Sequence, residues 1–206
     1  MSGLFFSSRQ IRKNFEANRQ RDLTPCMDEK GMLNGQDREG LGDLAFGFSN
    51  VGRAGCESIA VYNALLALGR PRPLAEIIRD MEKGGYLRLG GHFGAAPYFK
   101  PLLRRLGAES RAVLPGSLRC QAAVRSLTPG AVFIAVMWNR RYLPNKGLHT
   151  FTMVYSPAPA GDWLVYNRFN SDTAARRYAE PEDILKNGKH TGAWLVIYRI
   201  YPAEER

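Results

Sequence analysis

Cysteine is scarce: Cys26, Cys56 and Cys120 are the only three in 206 residues, and no two form a CxxC pair. An odd, widely spaced set excludes a disulfide framework and a cysteine-based zinc site, and it fits a reducing cytoplasm. Histidine is equally sparse, and His92, His149 and His190 lack ligand spacing, so neither a metal nor a cofactor is expected. No apolar run approaches the roughly 20 residues that a membrane span requires. The opening MSGLFFSSRQIRKNF has no apolar core of a secretion signal. Nucleotide-binding fingerprints are also missing, because LGGHFG has neither GxGxxG spacing nor a GK[ST] ending. Its glycines suit a flexible rim that an extended peptide can approach.

Acidic residues are few as well, 19 Asp and Glu against 29 Lys and Arg, for a formal net charge of +10. The basic residues are scattered from Arg9 to Arg141 without a long block or regular aromatic interleaving. That distribution reads as a solvated basic surface rather than a nucleic-acid face. With 45% hydrophobic and 23% charged residues the composition is globular, and the length fits one domain.

Residues 1–45 are polar and rich in glycine, with a short basic helix expected in FFSSRQIRKNFEANRQ and a loop in LNGQDREGLGD. We read them as an arm packed on a domain formed by residues 46–206. From Ala54 the character changes. AGCESIAVYNALLALG opens with small residues, has Glu57 in its first turn, is apolar on most faces and stops at Gly69, the pattern of a buried central helix. Further helices are expected over Pro73–Glu82, Ala96–Leu106 and Leu118–Ser126. After Pro129-Gly130 come AVFIAVMW, LHTFTMVY, WLVYN and AWLVIYRIY, short β-branched and aromatic runs separated by turn residues. They predict an antiparallel sheet, interrupted by a short helix at Glu180–Asn187. A helical half followed by a β half is an α+β plan.

Cys56 falls at the start of the central helix, where unsatisfied N–H groups and the macrodipole favour a thiolate. A thiol nucleophile needs an imidazole within reach and a third group to fix that imidazole's tautomer. His149 begins the strand LHTFTMVY, and Asn167 ends the next one, WLVYN, so a hairpin brings them together. His190 has no Asn, Asp or Gln after it, and His92 lies in a glycine-rich loop. His149 is therefore the expected base. Asn50, six residues before Cys56, is placed to fold its amide back and share an oxyanion with the Cys56 N–H.

At these residues the chain resembles the papain-like cysteine peptidases, most closely the compact bacterial group related to the bacteriocin-processing C39 peptidases. Cys56 in VGRAGCESIAVYNALL, His149 in GLHTFTMVYS and Asn167 in WLVYNRFN stand in the family order. The resemblance covers about residues 46–201. It implies a helical lobe carrying the nucleophile Cys56, and a β lobe carrying the base His149 and its orienter Asn167. By the same analogy Asn50 is the oxyanion donor, although the family usually has Gln there, and Glu57 replaces a small or aromatic residue. The expected activity is hydrolysis of peptide or isopeptide bonds in a peptide or protein substrate through a thioester. Two other readings stand beside it: an acyltransferase using the same triad, and a non-catalytic papain-like module that binds through its basic face.

Overall fold

The computed structural model describes residues 7–84, 99–119, 124, 126–140, 147–159 and 162–203. Helices and a large antiparallel sheet give a mixed α+β architecture. Among the described residues the α-helices are, in chain order, α1 (Ser8–Arg19), α2 (Val51–Ala54), α3 (Cys56–Ala67), α4 (Leu74–Lys83), α5 (Phe99–Arg105) and α6 (Pro181–Ile184). A two-residue hairpin, β1 (Ala45–Phe46) with β2 (Ser49–Asn50), leads directly into α2. The main sheet consists of β3 (Ala108–Val113), β4 (Val132–Trp138), β5 (Leu148–Tyr155), β6 (Trp163–Tyr166), β7 (Arg176–Tyr178) and β10 (Ala193–Pro202). Its strand order is β3-β10-β4-β5-β6-β7, antiparallel throughout. A second small hairpin joins β8 (Lys186–Asn187) to β9 (His190–Thr191). The glycine-rich loop at 89–94, with His92, lies outside the described residues, as do residues 120–123 and 125 of the helix expected at Leu118–Ser126.

Both faces of the sheet are covered, which is why β4 is apolar at every position rather than alternating. Val132, Ile134, Val136 and Ile200 join the core built around Ile59, Ala60, Val61, Ala64 and Leu65 of α3. Phe133, Ala135, Met137, Phe151, Met153 and Trp163 point the other way, into a second core that includes Ile184 and Leu185. Thr152 Oγ1 donates to the Ala60 carbonyl at 2.8 Å, so the even-numbered side chains of β5 face α3. This parity decides what surrounds the candidate site.

The residues before β1 pack closely on the rest of the chain: Leu33, Leu41 and Leu44 are buried in the same core as α3. Asn18 of α1 clasps Ala45 on both sides, Nδ2 donating to its carbonyl and Oδ1 accepting from its N–H, each at 2.8 Å. Asn14 Nδ2 donates to the Gly47 carbonyl at 3.0 Å and to Glu82 Oε1 at 2.6 Å, and the same oxygen accepts from Gly47 N–H at 2.9 Å. The hairpin that feeds the cysteine helix is therefore fixed by α1 and α4.

Burial raises the Glu82 carboxyl above its ordinary value of 4.5 despite the bonds from Asn14 and Gly47. The folded chain thus retains a proton that the unfolded chain sheds. Glu82 therefore makes stability fall as pH rises from about 4.5 through the raised value. In urea titrations Glu82→Gln should remove this dependence and be no less stable than the wild type at neutral pH. Asn14→Ala should cost about 1–2 kcal/mol, because it leaves two buried acceptors short of a donor.

Candidate active site

Cys56 opens α3, with Gly55 as the preceding cap and no side chain capping the helix. The residue is half-buried. Desolvation, reinforced by the Glu57 carboxylate, pushes the thiol up from 9.0 to about 12. Hydrogen bonds from the backbone and hydroxyl of Thr150 and from the Glu57 backbone oppose that rise without offsetting it. The helix terminus alone predicts a lowered thiol pKa. Here burial and an adjacent negative charge outweigh it, and the resting thiol is neutral.

His149 stands one residue from the sulfur's neighbour Thr150, in register with Met137 of β4. Alternation along β5 sends it to the face opposite Thr150 and Thr152. Its ring lies 5.9 Å from that of Phe151, and only 6% of the residue is exposed. Cys56 and His149 therefore meet β5 from different faces, and among the described residues no hydrogen bond joins them. This corrects the expectation of an imidazole resting against the thiol. A motif fixes which residues are near one another in sequence, whereas strand parity fixes the face. Burial pulls the imidazole down from 6.5 to about 4, with the Arg168 charge acting in the same direction.

Asn167 does meet His149, but not through its amide. His149 Nε2 lies 2.6 Å from the Asn167 backbone carbonyl. A carbonyl can only accept, so Nε2 carries the proton and Nδ1 keeps the lone pair. The tautomer is fixed by backbone rather than by the expected side chain. Asn167 adopts φ 57°, the only left-handed non-glycine among the described residues, a conformation that asparagine tolerates better than most. Its side-chain Oδ1 accepts instead from Gln36 N–H at 3.1 Å, and its own N–H donates to Asn34 Oδ1 at 2.9 Å.

Asn50, the expected oxyanion donor, is the N-cap of α2, exposed, with Oδ1 accepting from Arg53 N–H at 3.0 Å. The cap forms because α2 begins one residue later and its free N–H groups need an acceptor; it engages the amide oxygen and not Nδ2.

Residues with little local sequence signal act on His149 or on its partner Asn167. Arg168 is buried, its Nε donating to the Ile184 carbonyl at 2.6 Å and its guanidinium lying 5.7 Å from the centre of the Phe151 ring. Asp172 accepts from Phe169 N–H at 2.8 Å and pairs with Arg176 at 2.7 Å. Asn34 and Gln36 arrive from a stretch read as loop; the only local signal was a glycine between two amides in NGQ. Contacts spanning more than 130 residues leave no periodic trace.

Among the described residues no group of three or more His, Cys, Asp and Glu side chains is placed to hold a metal ion, and no helix is long and apolar enough to cross a membrane. Cys26 and Cys56 are both free thiols. Compared with known proteins, the chain matches no family model, no curated protein and no solved structure.

Proposed function

We propose that the chain is a cysteine peptidase of the papain-like kind, with Cys56 as nucleophile and His149 as base. The observation that carries this reading is the 2.6 Å contact from His149 Nε2 to the Asn167 carbonyl, which leaves Nδ1 unprotonated one strand position from the thiol's neighbour Thr150. Both groups are neutral at rest, so the chemistry is general-base catalysis rather than attack by a stored thiolate. The reading requires that substrate binding bring Sγ and Nδ1 within reach, since catalytic contacts that are long in the free enzyme often tighten only in the substrate complex. Sγ then bonds to the substrate carbonyl carbon while its proton passes to Nδ1. As the C–N bond breaks, that proton goes to the leaving amine. Water next attacks the thioester, releasing the acid and restoring the thiol.

The test is mass-resolved labelling by a peptidyl electrophile from about pH 4 to pH 9, on wild type, Cys56→Ala and His149→Ala. Cys56→Ala should lose the label, and His149→Ala should slow it by about 10²–10⁴, the usual worth of a positioned base. The rate should rise through the imidazole's lowered value near 4 and stay level across neutrality. Adding a primary amine separates the acyltransferase reading, since transfer yields an amide product and hydrolysis does not. The second reading, a non-catalytic module, is favoured by the thiol's contact with Thr150 rather than His149 and by the neighbouring Glu57 charge. It requires that Cys56 label no faster than a free thiol and ignore His149→Ala.

A further inference from the structure

The segment from Leu33 to Arg38 crosses between the cysteine-bearing helices and the loop after β6, and it touches both. On one side, Gln36 Nε2 donates to the Gly52 carbonyl at 2.9 Å, in the helix just before Cys56. On the other, Gln36 N–H and Asn34 Oδ1 grip the side chain and the backbone N–H of Asn167. A further bond, Asp37 N–H to the Asn170 carbonyl at 2.9 Å, extends the seam. Asn34 and Asn167 are fully buried and Gln36 is 3% exposed, so these bonds do not compete with water.

We propose that Asn34 and Gln36 are positioning residues for His149, holding Asn167 in the left-handed conformation that aims its carbonyl at Nε2. The conformation is intrinsically disfavoured for a residue with a Cβ and persists only where its surroundings impose it. Released from the two grips, the peptide after Asn167 turns its carbonyl away, and the imidazole loses the acceptor that selects its tautomer. The charged groups that act on the imidazole, Arg168 and Asp172, are not partners of Asn34 or Gln36 and stay in place. The functional meaning rests on His149 acting as the base; the geometric claim does not.

The experiment is a long-range ¹H–¹⁵N spectrum of the His149 ring in the full chain, which reads the tautomer directly, in Asn34→Ala, Asn34→Asp and Gln36→Ala. A cooperative melt establishes that each variant is folded. Wild type should show one tautomer, protonated at Nε2. Asn34→Ala should lower its excess over the other by about tenfold, the factor that one net hydrogen bond is worth. Asn34→Asp, which keeps the acceptor, should restore it, and Gln36→Ala, which frees the segment from the Gly52 carbonyl but keeps the N–H that bonds Asn167, should give a smaller change in the same direction. If Asn34→Ala does not fold, the near-isosteric Asn34→Leu, which removes the same acceptor while filling its space, decides in its place. Folded variants with the wild-type tautomer ratio overturn the proposal. A single tautomer that responds to these substitutions, with Cys56 labelling like a free thiol, would overturn the peptidase reading and leave the bracket standing.

Discussion

Gly35→Ala is expected to destabilise the protein by about 3 kcal/mol or more, although it removes no apolar contact. Gly35 has φ +74°, which costs an alanine about 1–2 kcal/mol in itself. The larger part is contact, because a Cβ there would lie 2.2 Å from the Asp172 carbonyl oxygen. The Arg38 side chain, at 2.6 Å, can swing aside, but a backbone carbonyl cannot. The carboxylate of Asp172 ties Phe169 N–H and Arg176, so pushing its backbone disturbs the loop that carries Asn167 and Arg168. Gly40→Ala is the control: φ is +84°, but the nearest atom, Asp22 O, is 3.6 Å away. Only the conformational cost should appear there, about 1–2 kcal/mol in urea denaturation. Equal losses in the two variants would mean that close approach to Asp172 is not what requires glycine at position 35.

The second large effect is loss of stability in mild acid through His149. Burial lowers its imidazole from 6.5 to about 4. Between those values the unfolded chain binds a proton that the folded chain excludes, so stability falls as pH drops from about 6.5 towards 4. At about 1.4 kcal/mol per pH unit the full loss is of the order of 3 kcal/mol. The raised Glu82 carboxyl works in the opposite sense, so the comparison is best made in a Glu82→Gln background. Urea midpoints near pH 7, 6 and 5 should fall steadily, and His149→Gln should flatten the series while keeping an N–H donor for the Asn167 carbonyl. Midpoints that hold steady in the parent would mean that water reaches the ring.

Much of the fold was legible because burial writes periodic patterns. The stripe at Leu74, Ile77, Ile78 and Met81 is the buried face of α4, and the all-round apolarity of α3 marked it as central. The runs of β4, β5, β6 and β10 appeared where expected. Besides the two short hairpins, two strands of the main sheet carry no such pattern, β3 with AESRAV and β7 with RRY, and both lie at its edges. An edge strand leaves much of its length in water and needs no strong apolar alternation. The helix at Glu180–Asn187 proved shorter, ending at Ile184 before a hairpin that turns at Gly188, where φ is +56°.

For the site, the sequence alone determined that Cys56 opens a buried helix, that His149 starts a strand and that Asn167 ends the next one, because helix caps, strand runs and turns are local. Only the tertiary structure decided how those residues face one another. The parity of β5 turned His149 away from α3 and gave the sulfur Thr150 as its neighbour. Burial, which depends on what packs from both sides, reversed the expected shift of the thiol and lowered the imidazole. The left-handed turn at Asn167 substituted a backbone carbonyl for the expected amide, and a segment more than 130 residues away in sequence holds that turn in place. Local order fixes where a chemical group lies along the chain, but direction and dielectric belong to the packed whole.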